Sequence, residues 1–156
     1  MVYKMAKANN LWVLLSAIGL WSACAHSNKL YTSSCSDGIA FKKVSYVNLV
    51  DSIKYYDKQY VEVYGKYIEG KNLSALVNDS LFADHGSNRA LWVNFTQDCP
   101  LYLTGTQQGF FASEDGSYAH LNNRMVTLRG QVEVLLKGHQ KAYSGTINQV
   151  SYIELY

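Results

Sequence analysis

Proline occurs once in the 156 residues, as Pro100. A chain so poor in it is neither a proline-rich spacer nor a disordered linker protein. Cysteine is nearly as scarce: Cys24, Cys35 and Cys99, with no C-x-x-C and no Cys/His spacing suited to zinc. Charge of one sign is lacking too. The formal net charge is +2, and without Lys4 and Lys7 the chain holds 12 Lys/Arg against 12 Asp/Glu. A neutral domain has no built-in attraction for polyanions, so nucleic acid is disfavoured as a partner. No G-x-S-x-G nucleophile elbow occurs. The chain also lacks an apolar run of about 20 residues, the length that spans a bilayer; the longest stretch, Leu11 to Ala23, falls short.

What the chain has in quantity is tyrosine and other apolar residues. Thirteen tyrosines and 48% hydrophobic residues suit one β-leaning domain with a true core. Val61, Val63 and Gly65 alternate with Glu62 and Tyr64, the period-two mark of a strand with one buried face. Val126, Leu128 and Gly130 repeat that arrangement. Glycine within a strand marks a bulge or sharp bend, so two long strands, each bent at its centre, predict a small coiled barrel. A short helix is expected near 48–56, with Asn48 as cap ahead of Asp51. Further strands are expected at 73–81, 90–95 and 143–155, and a long, partly helical connection at 96–122.

The basic start at Lys4 and Lys7, followed by the apolar stretch, reads as an export signal over residues 1–24. Ser22-Ala23-Cys24 resembles the lipobox at which bacterial lipoproteins are cut and lipidated on cysteine, although Trp21 stands where leucine is usual. The competing site is Ala23-Cys24-Ala25, with cleavage before His26 and release to the periplasm or the medium. Either way Cys35 and Cys99 remain, and in an oxidising compartment two remaining cysteines are expected to pair. Residues 25–43, serine-rich at first, read as a polar tether ahead of a domain at 44–156.

In their order, Tyr56-Asp57, Val61 to Gly65, Val126 to Gly130, and Gly138-His139 with Tyr143-Ser144-Gly145-Thr146-Ile147 resemble small OB-fold domains exported by bacteria. These occur in periplasmic OB-fold proteins and in envelope lipoproteins of Bacteroidetes-like organisms. The resemblance spans roughly 44–156. It implies a mainly β, five-stranded antiparallel OB-fold-like barrel with one or two short helices, acting as a binding or accessory module of the cell envelope. It supplies no catalytic set and no cofactor.

On such a barrel Tyr64, Lys66, Trp92 and Arg129 are expected opposite the inward Val63, Val93 and Leu128, as binding-face candidates. The plainer alternative is ordinary sheet surface, with Trp92 packed under the 96–122 segment. His139 is either a binding or proton-transfer group at the barrel rim or a side chain that bonds the backbone to hold its turn. His85 beside Asp84 offers too few ligands for a metal. Asp57, Glu62, Asp79, Asp98, Glu114 and Asp115 show no spacing that selects a catalytic pair. The expectation is therefore a non-enzymatic module, lipid-anchored at Cys24, that binds a glycan, a peptide or a partner protein. The alternative is an assembly partner of a larger envelope complex, and a hydrolase comes third.

Overall fold

The computed structural model describes residues 28–80, 83–84, 86–111 and 121–156. Residues 1–27, with the expected export signal and Cys24, lie outside the described residues, as do His85, His120, Glu114 and Asp115. Eight strands are present among the described residues: β1 (Lys29–Thr32), β2 (Lys42–Val44), β3 (Tyr60–Gly70), β4 (Leu73–Val77), β5 (Leu91–Val93), β6 (Tyr102–Leu103), β7 (Arg124–Glu133) and β8 (Gly145–Leu155). One α-helix, α1 (Tyr46–Asp51), lies between β2 and β3.

Five strands close a barrel. β3 pairs antiparallel with β4, and β4 with β5; β5 runs parallel to β8; β8 pairs antiparallel with β7, which returns to β3. The result is OB-fold-like, with each of the five strands paired on both sides over at least part of its length. The two matching motifs are each other's antiparallel partners: Val61 faces Gly130, Val63 faces Leu128 and Gly65 faces Val126.

Close approach explains both glycines. β3 pairs with β7 over Tyr60–Tyr67 but with β4 only from Lys66 onward, so Gly65 stands where the strand takes up a second neighbour. A Cβ there would lie 3.0 Å from both the Leu76 Cγ and the Val77 carbonyl oxygen. Opposite Gly130 the β7–β8 register slips between Arg129 and Gln131, and Gln149 adopts a φ of 49°. A Cβ at Gly130 would stand 2.7 Å from both the Asn148 oxygen and the Ile147 Cγ2.

Inward residues of the barrel strands fill its interior, with Val61, Val63, Leu91, Val126, Leu128, Ile147 and Ile153 all buried in one cluster. Each such side chain contributes about 1.5–3 kcal/mol by leaving water. α1 adds Leu49 and Val50 to the same cluster. The helix begins two residues earlier than the expected 48–56, and Ser45, not Asn48, is its cap. Ser45 holds extended backbone (φ −69°, ψ 147°) and its hydroxyl accepts from the Asn48 N–H. Ser52 ends the α-helix, and a 3-10 turn over Ile53–Tyr56 follows.

Residues 25–43 are not a bare tether where they are described. β1 adds to β8 and carries β6 on its other side, while β2 runs parallel to β3. The Cys35–Cys99 disulfide, spanning 64 positions, ties this segment to the connection after β5. That connection holds β6 and the buried Leu101 and Phe110, and no helix among its described residues.

Candidate functional site

The bent barrel turns alternate residues of β3 and β7 outward. Register sets Glu62 beside Arg129 and Tyr64 beside Thr127; on the next strand Arg129 meets Tyr152 and Thr127 meets Glu154. Arg129 donates from Nε to Glu62 Oε2 at 2.7 Å, and its guanidinium lies 4.2 Å from the Tyr152 ring centroid and 5.7 Å from that of Phe41. Lys43 adds a second cation, 3.4 Å from Glu62 Oε1. Cation–π contact and a charge-assisted hydrogen bond together fix this guanidinium in place.

Glu154 anchors the neighbouring cluster. Its carboxylate accepts from the Asn28 amide at 3.0 Å, from the Tyr156 hydroxyl at 2.8 Å and from the Tyr152 hydroxyl at 3.1 Å. Those bonds, led by Asn28 and Tyr156, hold its carboxyl below the usual range. Desolvation first, then the bond to Glu154, pushes the Tyr152 hydroxyl up to about 12. Tyr156 in turn reaches Thr127 Oγ1 at 3.1 Å and meets the Tyr64 ring edge-on, with centroids 5.7 Å apart.

A groove of about 580 Å³ opens beside these tyrosines. β2 pairs with β3 at Val61–Val63 and β4 pairs with it from Lys66, so neither covers the edge at Tyr64 and Gly65. Tyr64, Tyr156 and Thr127 line one part of the groove; Ser45, Val47 and Asp79 line another. Tyr64 is 46% exposed and Tyr156 43%. Apolar ring faces beside hydroxyl, amide, carboxylate and ammonium groups suit a polyhydroxylated or peptide-like ligand.

The expected binding face divides into two. Tyr64 lines the groove, and Arg129 stands beside it with its charge already met by Glu62. Lys66 is on the same strand but does not line the groove. Trp92 lies on a different sector, opposite Ala75 and edge-on to Tyr143 at 5.2 Å. What covers it is the loop before β8: a Cβ at Gly138 would fall 2.5 Å from the indole. The described residues of the 96–122 segment do not line the space beside it. His139 sits exposed in that loop, and its backbone carbonyl, not its imidazole, accepts the bond that closes the turn, from Ala142 N–H.

Among the described residues no group of three His, Cys, Asp or Glu side chains is placed to hold a metal ion. Asp57 accepts the Val134 N–H at 2.9 Å, and Glu62 is paired with Arg129 and Lys43. Tyr156, unforeseen from the sequence, continues the outward period of Tyr152 and Glu154 by one step, and that alternation was the signal available. Comparison with family models, curated proteins and solved structures finds no match.

Proposed function

We propose that the protein is a non-enzymatic binding or accessory module of the bacterial cell envelope, anchored by lipid at Cys24, whose ligand is a glycan held in the groove beside Tyr64. The groove itself carries this reading: two part-exposed tyrosine rings set by register on a rigid barrel wall, beside Thr127, Ser45 and Asp79. Sugars present apolar C–H faces and hydroxyl edges, which match ring faces and mixed donors and acceptors. The neutral charge of the chain after the export segment supports a neutral ligand over a polyanion. Asn28, the first described residue, is bonded to Glu154 beside the groove. Four residue steps lead from Cys24 to it, a reach of at most about 14 Å, so an anchor there would keep the groove near the membrane.

The test is retention of envelope glycans by the full chain, read with bound proteins in the same pull-down. Tyr64→Ala is expected to weaken glycan retention roughly tenfold, about 1.4 kcal/mol for one aromatic contact. Recovery of a fixed set of envelope proteins, indifferent to Tyr64→Ala, would favour the assembly-partner reading. For the anchor, Cys24→Ala should move the protein to the soluble fraction; labelled fatty acid that never enters the wild type would leave ordinary secretion.

A further inference from the structure

The loop between β7 and β8 displays leucine to solvent on a rigid frame. Leu135 is 87% exposed and Leu136 46%. Such exposure is not a matter of looseness. Thr146 Oγ1 donates to the Leu136 carbonyl at 2.6 Å, Tyr143 N–H donates to the Lys137 carbonyl at 3.2 Å, and Gly138 packs on the Trp92 ring. Gly138, Gln140 and Lys141 all take positive φ, which gives the loop a tight turn just after the leucines. An ordered loop that holds two leucines in water calls for an apolar environment elsewhere.

Charge says which environment. Lys137 and Lys141 line a cleft of about 300 Å³ together with both leucines, Asn94 and Thr146. The 3-10 turn Ile53–Tyr56 abuts the base of the loop, since Ile53 reaches Gly145, and brings Lys54 and the exposed Tyr55 to the same end of the barrel. The acidic groups nearby are engaged: Glu133 pairs with Lys58 at 3.3 Å, and the Asp57 carboxylate accepts from Val134 N–H.

We propose that this end of the barrel docks on an anionic lipid surface, with Leu135 and Leu136 entering the headgroup–acyl boundary and Lys137 and Lys141 meeting lipid phosphates. Exposed leucines with lysines beside them are the chemistry of such interfacial contacts. The inference stands apart from the glycan groove and from the Cys24 anchor. Loop and Asn28 lie at opposite ends of β8, so an anchored molecule would present the tip to a second surface.

The experiment uses the full chain with Cys24→Ala and Leu135→Cys, the new thiol carrying an environment-sensitive fluorophore. A matching label at Thr104→Cys, away from the loop, controls for adsorption through the apolar N-terminal stretch. Vesicles of phosphatidylcholine with phosphatidylglycerol should blue-shift the 135 label and leave the 104 label unchanged. Pure phosphatidylcholine should act far more weakly. K137E/K141E should raise the lipid concentration needed by at least about twenty-five-fold, from a factor of about five for each lysine lost, with the added carboxylates repelling the surface further. A 135 label unmoved by anionic vesicles overturns the proposal, as does a response that survives charge reversal. A label that shifts only on addition of envelope proteins makes the tip a protein-docking surface and also overturns it.

Discussion

Glycine shows how one side chain's absence decides local shape. At Gly130 a Cβ would collide at 2.7 Å with a carbonyl oxygen and the Ile147 methyl, whereas at Gly65 the nearest atoms stand at 3.0 Å. Strand propensity favours valine over glycine by up to about 1 kcal/mol, but overpacking costs roughly 1–3 kcal/mol. Gly130→Val is therefore expected to destabilise, and by more than Gly65→Val. Thermal melts of both variants check this, and melting at or above the wild-type temperature would show that the strands can spread. Tyr152 makes a second prediction at this scale. Its hydroxyl pKa is raised in the folded state to about 12 from 10.0. A raised acid holds its proton more tightly when folded, so its contribution is complete below pH 10 and is lost as pH climbs through about 12. Denaturant midpoints across that window should fall, and Tyr152→Phe should flatten the fall.

Elements are joined here by single polar contacts as much as by apolar packing. Tyr46 opens α1, and its hydroxyl lies 2.9 Å from the Leu76 carbonyl and 2.8 Å from that of Arg89, within reach of either. Burial pushes this hydroxyl's pKa up, as befits a group that stays protonated and donates. The contact ties the helix to the end of β4 and the start of β5. Tyr46→Phe leaves the ring in place and removes the donor, and is expected to cost about 1–3 kcal/mol because a buried carbonyl loses its partner. Chemical denaturation measures it; a cost under about 0.5 kcal/mol would mean that water takes over the bond. Period-two patterning located β3 and β7 because one face of each is buried along most of its length. The short strands β1, β2 and β6 carry too few residues for a period to show, and β2 and β6 sit at the two ends of the sheet path, where pairing alone places them.

Across the whole molecule the disulfide is the longest covalent tie. Cys35 and Cys99 join the segment after β1 to the connection after β5. In the chain-entropy account, closing a loop of that length contributes about 4 kcal/mol, an upper figure in practice. Replacing both cysteines with alanine should lower the unfolding free energy by up to that amount without abolishing the barrel, whose closure depends on backbone pairing. Non-reducing peptide mapping should recover Cys35 and Cys99 in one linked peptide; two alkylated thiols would overturn the pairing.

Local pattern was enough to determine the class of this protein. Alternation marked its long strands, the glycines marked points where a neighbouring strand comes too close for a Cβ, and the cysteine count left one pair to bridge. The outward placement of Tyr64 and Arg129 followed from the same alternation, since side chains on a strand switch faces at every residue. Only the tertiary structure decided which outward residues meet. It separated Trp92 from Tyr64, brought Tyr156 from the end of the chain against Thr127, and spent the Arg129 charge on Glu62. The physical reason is that strand pattern specifies a face, whereas a groove depends on register between strands far apart in sequence and on where pairing stops. At Tyr64 it stops because β2 and β4 take different parts of one edge of β3, which no local stretch of residues encodes.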